Sequence, residues 1–357
     1  MAISERISSP VTPKDRRVVA RQAHIWLALA LILVSVFSLA TGPTGTSLWG
    51  ALGKMFNAEP LTAMERVVLW DIRMPRLIIG ILVGAGLAVS GALMQGLFRN
   101  PLADPGLVGV GAGGTLGAIL AIVLGSALPI WLSDIVGNML IPVSAFFGSW
   151  LVIVVLYRVS TRHGRTSVAT MLLAGIALAA LAAALSGIMI FMADDQQLRD
   201  LTFWSLGSLA GATWTKVVIT APLILIAIGG SLFLGRGLNA LALGEATASH
   251  LGIAVQRLKL VTILIVAMAT GAAVAVSGGI GFIGIIVPHL LRLATGPDHQ
   301  TLLLNVALLG ATILLAADII SRLIIAPAEL PIGIVTAVLG SPVFLWILLR
   351  RRGLVDM

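Results

Sequence analysis

The 357-residue chain is 58% hydrophobic and 11% charged, with a formal net charge of +8 and no cysteine. An average soluble domain is about a quarter charged, so a water-soluble fold of this size is excluded, and the mean hydropathy of +1.06 points to lipid as the main solvent. Disulfides and thiolate metal sites are excluded with the cysteines, and no HExxH or other metal spacing joins the five histidines.

A helix needs about 20 apolar residues to cross the hydrocarbon core. Residues 1–24 read as a polar, basic cytoplasmic tail rather than a cleavable signal, because no small-residue cleavage site follows in the usual place. Spans are then predicted near 25–41, 76–97, 106–125, 137–157, 168–192, 217–235, 260–277, 280–293, 302–324 and 333–349, with a short tail at 351–357. Small-residue steps (Gly80 with Gly84; Gly109, Gly113 and Gly117) fit close helix packing.

Several segments depart from plain helix and loop. Arg73-Met74-Pro75-Arg76 opens the second span with two arginines, which either snorkel to headgroups or, being exposed, receive an acidic partner. Asn100-Pro101-Leu102-Ala103-Asp104-Pro105 forms a stiff inner turn. The inner stretch from Arg236 to Lys259 is moderately polar and punctuated by glycine, which predicts two short amphipathic helices lying on lipid or docking on a cytoplasmic partner. The eighth span is short and follows Ser277-Gly278-Gly279, so its loose backbone must be buried in protein or line a cavity. In the ninth, Asp318 and Arg322 share a helix face four residues apart and are predicted to pair.

With both termini cytoplasmic, sixteen of the 23 Lys and Arg fall inside and seven outside, in keeping with the positive-inside rule. Trp49, Trp70, Trp131, Trp204 and Trp214 fall near outer helix ends, as an aromatic belt does. No G-x-x-x-x-G-K-[ST] string is present, so the chain itself carries no phosphate loop.

Three strings are distinctive: RMPR…GAGLAVSGALMQGLFRNPLADPGLVGVGAG (73–113), GGIGFIGIIVPHLLRLATGPDH (278–299) and AADIISRLIIAPAELPIGIVTAVLGSPVFLWIL (316–348). Through them the sequence resembles the FecCD-type permeases, membrane subunits of ABC importers for cobalamin, iron–siderophores and haem. The likeness covers roughly 25–350. It implies an all-α integral membrane protein of about ten helices with the type II ABC importer permease fold, acting as a homodimer with the translocation path between the copies. It also implies two cytoplasmic ATPase subunits, which use ATP and Mg, a periplasmic binding protein, and a bacterial inner-membrane location. No cofactor or metal is expected on this chain, and no enzymatic activity of its own. Residue by residue, the resemblance assigns Arg73, Arg76 and Arg322 to docking of the binding protein. It assigns Asn100, Leu102, Thr166 and Ser167 to the cytoplasmic gate. Gly244, Glu245, Leu251 and Gly252, within coupling helices at about 237–258, are assigned to contact with the ATPase.

The run from Asp194 to Gly207 is most similar to haem-type members, so haem is the expected cargo, with iron–siderophores or cobalamin as the alternative. An ion-coupled carrier would call for several buried acids or a repeated half, and a membrane enzyme for clustered catalytic groups. The chain shows one intramembrane acid, no clear repeat and no such cluster. Reversal of Arg73 and Arg76 to Glu is expected to weaken docking and leave insertion intact.

Overall fold

The computed structural model describes residues 16–42, 47–57, 59–125, 128–129 and 137–355. Residues 1–15 of the tail, Trp131 of the aromatic belt, and 356–357 lie outside the described residues. Among those described, seven helices are long and apolar enough to cross a membrane, and three shorter apolar ones bring the number to ten. In chain order the elements are α1 (Arg16–Ala40), α2 (Leu48–Phe56), α3 (Met74–Phe98), α4 (Val110–Leu124), α5 (Leu140–Ser160), α6 (Val168–Met192) and α7 (Asp195–Ser205). They continue with α8 (Trp214–Leu232), α9 (Gly235–Ala242), α10 (Glu245–His250), α11 (Val255–Ser277), α12 (Ile283–Thr295), α13 (His299–Leu323) and α14 (Ile332–Val355). A two-stranded hairpin, β1 (Thr161–Arg162) and β2 (Arg165–Thr166), joins α5 to α6 with Thr161 opposite Thr166.

Every predicted span has a helix, but ends differ. The first begins at Arg16 and not near 25, because the tail's last residues continue the helical hydrogen-bonding of the apolar run. The third and eighth are 15 and 13 residues long, too short to span unaided. Before α12 the chain runs unwound over 278–282, beside a second non-helical stretch at 206–208 that is tied to its surroundings: Ser208 N–H donates to Ser277 C=O at 2.8 Å, while Ile332 and Gly333 N–H donate to Gly207 and Leu206 C=O at 3.0 and 3.1 Å. Residues 279–282 themselves line a cavity with Leu87 and Asp104, the setting in which non-helical backbone is tolerated at membrane depth.

The bundle is built around α3, which with its lead-in from Ala63 is 89% buried over its apolar window, against 17% for α6 and 6% for α1. Small residues allow this enclosure. A Cβ placed on Gly84 would meet Gly310 C=O on α13 at 2.5 Å, and one on Gly91 would meet Gly284 C=O on α12 at 1.8 Å. Only glycine lets these backbones approach so closely. Near its start α1 is fastened to α13 by Asn305, which donates to Ala20 C=O at 3.1 Å and accepts from the His24 ring. Beside the lead-in to α3, Trp214 donates its indole N–H to Trp70 C=O at 2.9 Å, and the two rings lie 5.1 Å apart.

Candidate functional site

Three arginines meet where α1 ends and α3 begins. Pro75 sits where a π-helical stretch, Val67–Arg73, passes into α3, and Arg73 and Arg76 lie three residues apart on either side of this junction. Arg76 donates from Nε and Nη2 to Asp318 Oδ1 at 3.0 and 2.8 Å, and from Nη1 to Glu329 Oε1 at 2.8 Å. Arg322 reaches the same carboxylate, Nε to Oδ2 at 3.1 Å, and donates to Ser38 Oγ, Ser38 C=O and Thr41 C=O at the end of α1. Arg73 donates to Leu39 C=O at 2.6 Å.

The structure corrects one expectation here and extends a second, since the predicted Asp318–Arg322 pair forms and gains a further partner. The arginines are not exposed: Arg73, Arg76 and Arg322 are 5%, 7% and 4% accessible, and Asp318 is fully buried. Each points inward because the free carbonyls of the α1 terminus and the buried Asp318 carboxylate lie there. Asp318 is also not a local i,i+4 pair alone, since Arg76 holds it through two hydrogen bonds from a different helix. With two carboxylates facing three guanidiniums, reversing Arg73 and Arg76 would set four acids against one cation. Intact insertion of that double variant is therefore no longer expected.

The residues predicted to form a gate fall in two places. Arg99 ends α3 in the left-handed conformation, and Asn100 Oδ1 accepts the Leu102 N–H at 3.0 Å, a turn that stiffens the link into α4. Asp104, half-buried in the same link, accepts the Gly106 N–H at 2.7 Å. Burial pushes its carboxyl above the usual carboxylate range, and that hydrogen bond opposes the rise. Thr166 ends the hairpin and is buried, while Ser167 is exposed and caps α6 by accepting the Thr170 N–H. Asn100 and Leu102 are joined to each other and not to Thr166.

The predicted helix pair is present as α9 and α10, separated by Gly244 at φ 108°, a conformation that glycine adopts without strain. Gly252, at φ 82°, turns the chain into α11. Leu243 and Leu251 are 67% and 61% exposed on either side of α10, an apolar knob at the protein surface. Glu245 opens α10, where a carboxylate suits the helix N-terminus, and its side chain turns to Lys259 Nζ at 2.8 Å.

Sequence reasoning missed two polar networks behind these residues. Lys259, counted only as an inner cation, is 1% exposed and binds both Glu245 Oε1 and Thr166 C=O at 2.8 Å. The second network links α9 to the inner end of α3. Asn239 on α9 donates to Asp298 Oδ1 at 2.7 Å and accepts from His299 Nδ1 at 2.9 Å. The His299 Nε2 faces Arg292 Nη2 at 3.4 Å, and Arg292 also grips Gln95 and donates to Ala92 C=O. Their sequence separations hide both networks; only the unusual placing of Lys259 and Arg292 beside apolar runs signalled them.

Between α4, α6 and α7 lies a cavity of about 390 Å³ lined by Ala112, Ile119, Ala183, Ile190, Leu201 and Trp204, with a few hydroxyls such as Thr115 and Ser186.

The FecCD transport family matches residues 30–350. The hemin transport system permease protein HmuU of Yersinia pestis is 44% identical over 331 residues, covering 93% of this chain and 97% of that one. The vitamin B12 import system permease protein BtuC of Klebsiella pneumoniae is 40% identical over 337 residues, covering 93% and 96%. A solved structure described as an inward-facing conformation of a metal-chelate type ABC transporter aligns at 31% identity with a TM-score of 0.80, over 92% of this chain and 99% of the other.

Proposed function

The chain belongs to the FecCD transport family and is a multi-pass membrane permease of the ABC importer class, and we propose that the cargo it passes is haem. The carrying observation is the likeness to the hemin permease over nearly the whole of both chains. The cavity beside α6 adds a chemical argument. Haem is a flat, largely apolar ring, and walls of Ala, Ile, Leu and Trp with few polar groups accept it more readily than the amide-rich cobalamin. The chain is read as guiding the ring without ligating its iron.

Two copies form the working unit. The poorly buried face of α6, with Leu173, Ile176, Leu181 and Leu185 outward, suits the seam around the path. Cytoplasmic ATPase subunits supply nucleotide chemistry with ATP and Mg, and α9–α10 offer them the Leu243–Leu251 knob. Asn100, Leu102, Thr166 and Ser167 form the inner gate, and both termini face the cytoplasm. A binding protein delivers the cargo at the other side. There, the guanidiniums of Arg73, Arg76 and Arg322 lie just beneath the surface and steer an acidic partner without direct contact.

The test is ATPase stimulation in nanodiscs holding the permease, its ATPase and its binding protein. Haem-loaded binding protein is expected to raise hydrolysis severalfold over cobalamin-loaded or ferric-siderophore-loaded protein. Greater stimulation by either rival overturns the cargo assignment. Uptake that persists without any ATPase subunit overturns the ATP-driven reading.

A further inference from the structure

Lys259 lies on the second turn of α11, and its ammonium is enclosed. A buried cation is costly in an apolar bundle unless it is paired and hydrogen-bonded, and an apolar side chain would pack here at lower cost. Lys259 gives two donors to two different elements. One goes to Glu245 Oε1, at the start of α10, and the other to the C=O of Thr166, at the end of the gate hairpin, both at 2.8 Å. One turn earlier on α11, Gln256 Oε1 accepts the Thr166 N–H at 2.8 Å. Both backbone groups of Thr166 are therefore held by the opening turns of α11, and one of those bonds is shared with the helix that faces the cytoplasm.

We infer that Lys259 is the positioning residue that carries movement of α10 to the gate at Thr166. The inference rests on the reading of α9–α10 as the ATPase contact and of Thr166–Ser167 as the gate. The Glu245 side chain is 43% accessible, so a partner that grips α10 displaces this carboxylate directly. When Glu245 moves, the ammonium follows its charge or is left with Thr166 alone. Either way the geometry that satisfies both bonds holds in one position of α10 and fails in the other. That makes the pair of bonds a two-position element, which coupling between distant sites requires. The contact from Gln256 stays with α11 throughout and supplies the fixed point against which the hairpin turns.

The chain has no cysteine, so a single thiol reports on the hairpin. Arg165→Cys places it on an exposed residue beside Thr166. In the assembled permease–ATPase complex in proteoliposomes, maleimide labelling at this thiol is expected to change severalfold between the nucleotide-free and ATP–vanadate states. With Lys259→Met added, hydrolysis by the ATPase subunits continues, the nucleotide response of the thiol disappears, and haem transported per ATP falls about tenfold. Lys259→Arg, which keeps the charge and donors, restores part of the response. Should Lys259→Met fail to insert, Glu245→Gln leaves the buried ammonium in place, and the same loss of response is expected. A full nucleotide response together with unchanged cargo per ATP in either variant overturns the link. So does joint loss of hydrolysis, response and thermal stability, which is the mark of a merely structural role. A parent thiol that ignores nucleotide overturns the gate reading itself, and the inference with it.

Discussion

Asp318 shows why an ionisable residue inside a membrane protein is informative only with its partners in view. In the sequence it stood beside Arg322, and the i,i+4 spacing was readable. Its stronger partner, Arg76, is 242 positions away and no local pattern points to it. Two cations on one fully buried carboxylate make its loss costly. Asp318→Asn leaves Arg76 and Arg322 enclosed with an uncharged acceptor, and destabilisation of roughly 3–5 kcal/mol is expected. Glu329 also binds Arg76, but its side chain is 31% accessible and water replaces it. Glu329→Gln is therefore expected to cost about 0–1 kcal/mol. Thermal unfolding of both variants in the same detergent separates them, and equal losses would mean that Asp318 is not the centre of the cluster. Arg73 and Arg76 followed the same rule: RMPR was legible as a motif, whereas the direction of its side chains depended on carbonyls of α1 and an acid of α13.

At the level of elements, hydropathy found the long helices because length and apolar content are local properties. The break before α12 was also legible, through Ser277-Gly278-Gly279 and the short apolar run that follows. What packs against that break was not, since the backbone beside it comes from 204–207 and from Gly333. Helix contacts lie between these cases. Gly84 was marked as a small-residue position, but nothing local distinguished Gly91, which sits closest of all against α12. A side chain at Gly91 has no room because the blocking atom is a carbonyl of Gly284 and not a flexible side-chain tip. Gly91→Leu must push α3 and α12 apart, with an expected loss of about 1–3 kcal/mol or more and a fall in folded yield in membranes. Gly53→Leu, where a Cβ meets open space on α2, is the matched control and is expected to leave folding unchanged. Comparable loss in both would show that apolar bulk anywhere, rather than the α3–α12 approach, is limiting.

The whole molecule is asymmetric in burial, and that asymmetry bears on assembly. A membrane helix gains nothing from lipid that another apolar helix does not also offer, so exposure of α1 and α6 alone decides little. Their compositions differ, though. α1 turns outward bulky Ile25, Trp26, Leu29, Ile32 and Phe37, as a lipid-facing helix does. α6 intersperses Leu173, Ile176, Leu181 and Leu185 with a run of alanines and borders the cavity through Ala183, Ser186 and Ile190. A helix that faces both a cavity and the outside of a single copy is placed to line a path completed by a second copy. Two-fold symmetry brings the same residue of each copy to the seam, so a residue near the axis meets itself. In the cysteine-free chain, Leu181→Cys is expected to form a disulfide-linked dimer under mild oxidation in membranes, whereas Leu29→Cys on α1 stays monomeric. If the proposed path runs between the copies and opens and closes with the cycle, loaded binding protein and ATP change the cross-linking rate at 181. Cross-linking at 29 and none along α6 would place the dimer seam on the opposite side of the bundle and leave the cavity beside α6 facing lipid.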